Sequence, residues 1–217
     1  MQFFSIKDPM ALPAALARLQ ANRAIVAPTD TVYGIMCRFD QPQAIDQLYE
    51  IKGRPPEKAI PVLIGNTAQL TQVTSLPISP VAQALAEHFW PGPLTIVLPA
   101  RSTLPAILTA HQPTVGIRLP NHAWLRTLLT ESGPLAATSA NLSGRSEART
   151  VADVLAQLQE RVELVLADDQ LDQANQTQAV ASTVVAVEDD QHVRILRTGP
   201  IAAQVQALLQ EEFTISC

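Results

Sequence analysis

Short apolar runs alternate with amphipathic segments along the whole of this 217-residue chain. A short apolar run is typical of a buried strand, whereas a helix packed on a core repeats apolar residues at i, i+3, i+4 and i+7. Strands are therefore predicted at 24–27, 60–64, 94–98, 115–119, 134–138 and 162–167, followed by a hairpin of 179–187 and 192–197 across an acidic turn. Because strands and helices are interspersed without a linker or an internal repeat, we predict an α/β fold with a mixed sheet in one domain, 1–217.

Helix starts are predicted where a capping residue or a proline precedes the helical spacing of apolar residues. These starts are Asp8-Pro9, Ser79-Pro80, Asn121, Thr150 with Asp153 as a capping box, and Gly199-Pro200. A further helical run is predicted after Gly34; it ends at Lys52, with Gly53 suited to the left-handed residue that closes a helix. The polar stretch 168–178 is predicted to be a loop.

The composition limits the class of protein. Hydrophobic residues make up 47% of the chain and charged residues only 16%, which is typical of a globular protein with a sizeable core. No apolar run approaches the roughly 18 residues that a membrane span needs, and the N-terminus lacks the features of a signal peptide. Two cysteines, Cys37 and Cys217, supply neither a disulfide framework nor a zinc site. We therefore expect a cytoplasmic protein, and the pI of about 5.3 argues against a general nucleic-acid binder.

A cationic cluster stands out in a chain whose net charge is -5. Two of the three lysines, Lys52 and Lys58, lie close together with Arg54 between them. Clustered cations repel one another unless solvent or an anion satisfies them. A solvated helix end and a phosphate site are both compatible with this cluster taken alone.

Other polar groups lie at predicted strand ends and turns. They are the segments Thr29-Asp30-Thr31, Ser139-Ala140-Asn141 and Ser182-Thr183, together with Arg118 and Arg197 on or beside strands. Each segment alone is compatible with turns and caps. Jointly they supply hydroxyls, an amide and cations but no strong general base, which favours binding of a polyanion and transfer of a phosphoryl or nucleotidyl group. The chain has no P-loop, no G-x-G-x-x-G and no H-E-x-x-H motif, and its four histidines lack the spacing of metal ligands.

Five motifs together resemble one protein family. They are Pro28-Thr29-Asp30-Thr31-Val32-Tyr33-Gly34, Lys52-Gly53-Arg54-Pro55, Trp90-Pro91-Gly92-Pro93-Leu94-Thr95, Val115-Gly116-Ile117-Arg118-Leu119-Pro120 and Thr138-Ser139-Ala140-Asn141-Leu142-Ser143-Gly144. Their order is similar to that in the YrdC-like (TsaC-type) threonylcarbamoyl-AMP synthases, and the resemblance extends from about Ala24 to Pro200. It implies a YrdC-like fold with a twisted, mixed open sheet flanked by helices. The K-x-R and S-x-N motifs are its most specific part.

The resemblance also implies a reaction. Threonine takes up bicarbonate or CO2 to form a carbamate, which attacks the α-phosphate of ATP, and pyrophosphate leaves. The threonylcarbamoyl-AMP formed is then passed to proteins that modify the tRNA adenosine next to the anticodon. Mg²⁺ is expected as the counter-ion of the triphosphate, and direct contact with RNA is possible but not required.

The same resemblance assigns roles to individual residues of this chain. The catalytic set that it implies is Lys52, Arg54, Ser139 and Asn141. Threonine is expected to bind Thr31, Arg118 and Ser182, and the nucleotide Arg54, Lys58, Thr114, Asn141 and Arg197. An arginine suits the carboxylate of threonine because its guanidinium forms two parallel hydrogen bonds.

Two positions depart from the family pattern. Asp168-Asp169-Gln170 stands where the family often has Asp-Gly-Gly, and Ala181 stands where a proline is common. Because of these two departures, the family pattern does not define the path of the 168–178 loop. Since the sequence ends at Cys217, we also expect it to lack the additional C-terminal domain of longer relatives.

Other functions are also compatible with this sequence. A non-catalytic RNA-binding module of the same fold would use the same basic surface, although the acidic pI counts against it. A paralogue with another substrate also fits the fold, but the intact K-x-R and S-x-N motifs count against it. The carbamoyl-transfer relative of hydrogenase maturation would need zinc fingers, which two cysteines cannot supply.

Overall fold

Ten strands form a single sheet in the part of the chain described by the computed structural model, residues 1–174, 180–190 and 192–213. The strands are β1 (Gln2–Ser5), β2 (Ile25–Ala27), β3 (Gly34–Arg38), β4 (Val62–Leu63), β5 (Leu94–Pro99), β6 (Thr114–Arg118), β7 (Leu135–Ser139), β8 (Leu164–Ala167), β9 (Thr183–Val187) and β10 (Val193–Arg197). Their order in the sheet is β1-β8-β2-β3-β7-β4-β6-β5-β9-β10. Because parallel and antiparallel pairs both occur, the sheet is mixed, as predicted.

Helices cover both faces of this sheet. They are α1 (Ala11–Gln20), α2 (Pro42–Lys52), α3 (Leu70–Val73), α4 (Pro80–Phe89), α5 (Ala123–Ser132), α6 (Val151–Leu158), α7 (Asp169–Ala174) and α8 (Ala202–Phe213), and Thr67–Gln69 form a 3-10 turn. In the described ranges, no helix has the length and apolar character needed to span a membrane.

The two faces of the sheet are covered unequally. On one face, α2, α4, α6 and α8 pack into one large hydrophobic cluster with alternate residues of most strands. On the other face, α1 and α5 pack over residues of β2, β3, β7 and β8. The second cluster therefore lies over one half of the sheet, and this asymmetry leaves room for a cavity beside it.

Several predicted helix ends are confirmed. The Ser79 side chain accepts a hydrogen bond from the Ala82 N–H at the start of α4. Thr150 and Asp153 form the predicted capping box at the start of α6. Gly53 closes α2 with a φ of 56°, a left-handed conformation that costs glycine little because it has no Cβ.

Three predicted helix starts are wrong, and the last helix, α8, begins at Ala202 rather than at Gly199-Pro200. The first helix begins at Ala11 rather than at Asp8, whose carboxylate instead accepts the Met10 N–H in a turn at 2.8 Å. The cap of α5 is His122 rather than Asn121, because the imidazole Nδ1 accepts the Leu125 N–H at 3.3 Å. An imidazole nitrogen has the lone pair that a cap requires, although histidine is not among the usual capping residues.

The region after Gly34 also differs from its prediction. It forms strand β3, antiparallel to both β2 and β7, and the helical run begins only at Pro42. The apolar Ile35-Met36-Cys37 run is buried inside the sheet, where side chains point to both faces. The predicted strand 60–64 is reduced to two residues, Val62–Leu63, and strand β1 was not predicted.

The predicted loop 168–178 is partly helical. Residues Asp169–Ala174 form α7, and 175–178 lie outside the described residues. The Asp172 carboxylate accepts hydrogen bonds from the Tyr33 hydroxyl at 2.7 Å and from the Val151 N–H at 3.2 Å. These contacts with distant parts of the chain stabilise a helix in a polar segment that has no amphipathic pattern.

Candidate functional site

A cavity of about 440 Å³ lies on the face of the sheet that carries α1 and α5. Leu63 and Ala137 belong both to its wall and to the hydrophobic cluster under those helices. Alternation along β6 points Gly116 and Arg118 into the cavity, whereas Val115 and Ile117 enter the core on the other face. Arg118 thus lies opposite the aliphatic residues, as predicted.

Arg118 is buried and makes hydrogen bonds with three groups. Its Nε donates to the Gly92 carbonyl at 3.0 Å, its Nη1 to the Thr31 hydroxyl at 2.9 Å and its Nη2 to the Asp30 carboxylate at 2.6 Å. Burial lowers the pKa of Arg118, and Asp30 opposes that effect. Two residues predicted to bind threonine, Thr31 and Arg118, are therefore in direct contact.

Asp30 was missed as a partner of Arg118. It lies in the first motif, but 88 positions separate the two residues along the chain, so no local pattern could join them. The carboxylate is largely buried and is not part of the cavity wall, whereas its neighbours Thr29 and Thr31 are. Asp30 therefore holds the guanidinium from behind, as the counter-ion that a buried charge requires.

A second arginine of the cavity wall, Arg197, is held by Ser182. The Nε of Arg197 donates to the Ser182 carbonyl at 2.9 Å, and its Nη2 donates to the Ser182 hydroxyl at 3.1 Å. That hydroxyl also lies 2.8 Å from the Thr95 hydroxyl. The predicted residues Ser182 and Arg197 therefore form one hydrogen-bonded group, to which the structure adds Thr95.

A bulge in β10 places two consecutive residues in this wall. The pairing of β10 with β9 shifts register between Ile195 and Arg197. In a regular strand consecutive side chains point to opposite faces, but Leu196 and Arg197 both line the cavity. Sequence alternation could not reveal this placement.

In the K-x-R motif, Arg54 lines the cavity and Lys52 lies behind its wall. The Arg54 guanidinium is held by hydrogen bonds to the carbonyls of Lys58 at 2.9 Å and Ala59 at 2.7 Å. The Lys58 side chain is exposed and is not part of the wall. Its predicted contact with the nucleotide stays a prediction.

Lys52 is only 2% exposed, and its ammonium group donates to the Ser139 carbonyl. Ser139 itself lines the cavity, so the charge of Lys52 lies directly behind the wall. Burial, and then the nearby charge of Arg54, lower the pKa of Lys52 to about 7, while Glu147 opposes them. An anion in the cavity would raise the pKa of Lys52 again and favour its charged form.

The other predicted residues are placed as follows. Thr114 lines the cavity at the start of β6. Asn141 is buried just outside the wall, and its Nδ2 donates to the carbonyls of Leu142 and Arg145 at 2.9 Å each. Its Oδ1 has no hydrogen-bond partner among the described residues. The Asn141 side chain thus shapes the loop after β7, and its role with a ligand stays a prediction.

Comparison with known proteins identifies the family. The family model described as telomere recombination, which covers Sua5, YciO and YrdC, matches residues 17–199. The chain belongs to the Sua5/YciO/YrdC family, which confirms the resemblance found in its motifs.

Individual relatives agree with this placement. A protein named threonylcarbamoyl-AMP synthase from Bacillus subtilis is 35% identical over 207 residues, which cover 94% of this chain and 58% of the relative. The Bos taurus protein of that name is 32% identical over 203 residues, with 93% of this chain and 72% of the relative covered. P. abyssi Sua5, solved in complex with L-threonine, superposes on this chain with a TM-score of 0.88 at 27% identity, and the superposition covers 97% of this chain and 62% of that one. The chain thus spans little more than half the length of the Bacillus relative.

Proposed function

We propose that this chain forms threonylcarbamoyl-AMP and pyrophosphate from L-threonine, bicarbonate or CO2, and ATP, for tRNA modification. The observation that carries the proposal is the convergence of the Arg54, Arg118 and Arg197 guanidinium groups on one cavity. Their charges suit a triphosphate and a carboxylate bound together. The relatives named threonylcarbamoyl-AMP synthase support the same reaction.

The proposed chemistry is a nucleotidyl transfer. The carbamate oxygen attacks the α-phosphorus of ATP, the bond to the bridging oxygen breaks, and pyrophosphate leaves with that electron pair. Such a step needs alignment and stabilisation of charge more than a strong base. Arg54 and Arg197, which line the cavity, would bind the phosphates, and Lys52 adds its charge from behind Ser139.

Threonine is proposed to bind beside Arg118 in the cavity. The hydrogen bonds of Arg118 to described residues leave one further N–H on each of Nη1 and Nη2. Those two N–H groups suit the two oxygens of a carboxylate. The nearby Thr31 hydroxyl is a candidate partner for the hydroxyl of threonine, and Ser182, which also lines the cavity, is a second candidate.

Mg²⁺ is proposed to arrive with ATP rather than to occupy a protein site. The described residues contain no group of three or more His, Cys, Asp or Glu side chains arranged to hold a metal ion. The donor set of the cavity therefore does not fit a resident magnesium ion, which prefers several oxygen ligands in octahedral geometry. Phosphate oxygens and water would supply its ligands.

The direct test is release of pyrophosphate from ATP. We expect release only when threonine and bicarbonate are both present, and Arg54→Ala should lower turnover by about 10²-fold, as for loss of other preorganised charge-stabilising groups. Pyrophosphate release without threonine would contradict the proposed substrate. Salt-sensitive binding of RNA without any turnover would support the RNA-binding alternative instead.

A further inference from the structure

Glu147 is a carboxylate in a cavity otherwise lined by cations, hydroxyls and apolar groups. It is the sole acidic residue among the described residues of the wall, and no predicted motif contains it. It lies in the segment that joins β7 to α6 and is half-buried. A carboxylate repels the polyanion proposed to bind here, so its presence in the wall needs a physical explanation.

The contacts of Glu147 join two parts of the wall. Its Oε2 accepts the backbone N–H of Ala181 at 3.2 Å. Ala181 immediately precedes Ser182, whose carbonyl and hydroxyl hold Arg197. Glu147 therefore links the loop after Ser139 to the segment that positions Arg197.

Glu147 also acts on cations of the site through its charge. Its carboxylate attracts the Lys52 ammonium, against the effects of burial and of Arg54, and it attracts the Arg197 guanidinium. Arg54 and Arg197 in turn repel each other. Before any substrate binds, this carboxylate offsets part of the repulsion within the cationic group.

We propose that Glu147 is a positioning residue of this site, which joins its two loops and whose negative charge acts on Lys52 and Arg197 across the cavity wall. The expected effect of Glu147 on catalysis rests on the proposed function. The effect of the Glu147 charge on Lys52 in the free protein does not depend on turnover and can be measured without substrate.

The effect of Glu147 on Lys52 can be measured by NMR because the chain contains few lysines. The chain has three lysines, Lys7, Lys52 and Lys58, so protein labelled with ¹³C at lysine Cε gives at most three lysine signals. Lys7→Arg and Lys58→Arg assign the remaining signal to Lys52. The pH midpoint of that signal is then measured without substrate in the wild type and in Glu147→Gln, which keeps an acceptor for Ala181 but removes the charge.

The expected result is a lower pH midpoint for Lys52 in Glu147→Gln than in the wild type. Glu57→Gln is the matched control, because Glu57 is exposed and is not among the groups that act on Lys52. An unchanged or raised midpoint in a folded Glu147→Gln protein would overturn the proposal. Far-ultraviolet circular dichroism establishes that the variants are folded.

Turnover adds a second readout. Glu147→Gln should lower kcat/KM for ATP by about two- to fivefold, the range for the interaction of partly exposed charges, and should shift the loss of activity at high pH to lower pH. A higher kcat/KM for ATP would show that Glu147 only repels the substrate and would overturn the proposal. If the wild type releases no pyrophosphate, the proposed function fails, while the lysine titration still decides the role of Glu147.

Discussion

Lys52 combines a positive charge with almost complete burial. The pKa of about 7 means that its ammonium form is favoured below neutral pH and its neutral amine above it. An anion nearby favours the charged form of a lysine. Binding of a triphosphate in the cavity, in front of Ser139, should therefore draw a proton onto Lys52 at mildly basic pH.

Calorimetry checks this expectation. At pH 8, about one unit above that pKa, ATP binding with Mg²⁺ should take up a fraction of a proton, so the binding heat should differ between buffers of different ionisation enthalpy. At pH 6 the uptake should vanish, because Lys52 is already charged. Lys52→Arg is the control, since arginine stays protonated throughout. Equal buffer dependence at pH 8 in the wild type and Lys52→Arg would assign the proton to another group.

Arg118 and Thr31 define the second prediction at this scale. A site that hydrogen-bonds a hydroxyl rejects an analogue without it, because its polar groups are left unpaired. Valine, nearly the shape of threonine, should fail to support pyrophosphate release, and serine should support it weakly. Arg118→Lys should weaken threonine binding far more than ATP binding, because lysine cannot reproduce the three hydrogen bonds that fix the guanidinium. Turnover with valine equal to that with threonine would refute a site that recognises the hydroxyl.

At the scale of elements, the 181–183 segment is fixed by close packing against the chain that follows β10. A Cβ on Gly199 would lie 2.4 Å from the Thr183 nitrogen and 2.6 Å from the Ser182 carbonyl carbon. Both atoms belong to the backbone and cannot rotate away. Glycine at 199 therefore allows the chain after β10 to pack closely against the segment that carries Ser182, which holds Arg197.

Gly199→Ala should displace this segment. We expect a loss of about 1–3 kcal/mol in the free energy of unfolding, typical of overpacking, together with weaker ATP binding. Gly53→Ala is a control for stability, because it carries the strain of a left-handed residue but has no heavy atom within 4 Å of the added Cβ. Denaturant unfolding and ATP titration measure both effects. Unchanged ATP affinity in Gly199→Ala would show that the 181–183 segment does not position nucleotide contacts.

Elements whose stability comes from local patterns were predicted well. The α4 and α6 caps, the end of α2 and the β9–β10 hairpin depend on residues within a few positions of one another. Elements that depend on distant partners were not predicted correctly. Strand β3 exists because it pairs with β2 and β7, and α7 is held by hydrogen bonds to Tyr33 and Val151.

At the scale of the whole molecule, the site lies over the half of the sheet that α1 and α5 leave open. Residues of β5, β6, β9 and β10 line the cavity, together with residues of β3, β4 and β7. Strands β1 and β8 lie at the far end of the sheet. Ligands should therefore stabilise the two halves unequally.

Hydrogen exchange measures that asymmetry. L-threonine with a non-hydrolysable ATP analogue should slow amide exchange in β5, β6, β9 and β10, with little change in β1 and β8 beyond the global effect of binding. Replacing threonine by valine should reduce the added protection near Thr31 and Arg118. Uniform protection across both halves, or protection confined to β1 and β8, would place the ligand elsewhere.

The sequence by itself determined the fold class, the alternation that points Arg118 away from the core, and the motifs that identify the family. These properties depend on periodicity and on neighbouring residues, so they can be recognised along the chain. Only the tertiary structure decided that Asp30 pairs with Arg118, that a bulge turns both Leu196 and Arg197 into the cavity, and that Glu147 contacts Ala181. Each of these contacts joins residues that the order of strands in the sheet brings together, and their distance along the chain leaves no local signal of the pairing.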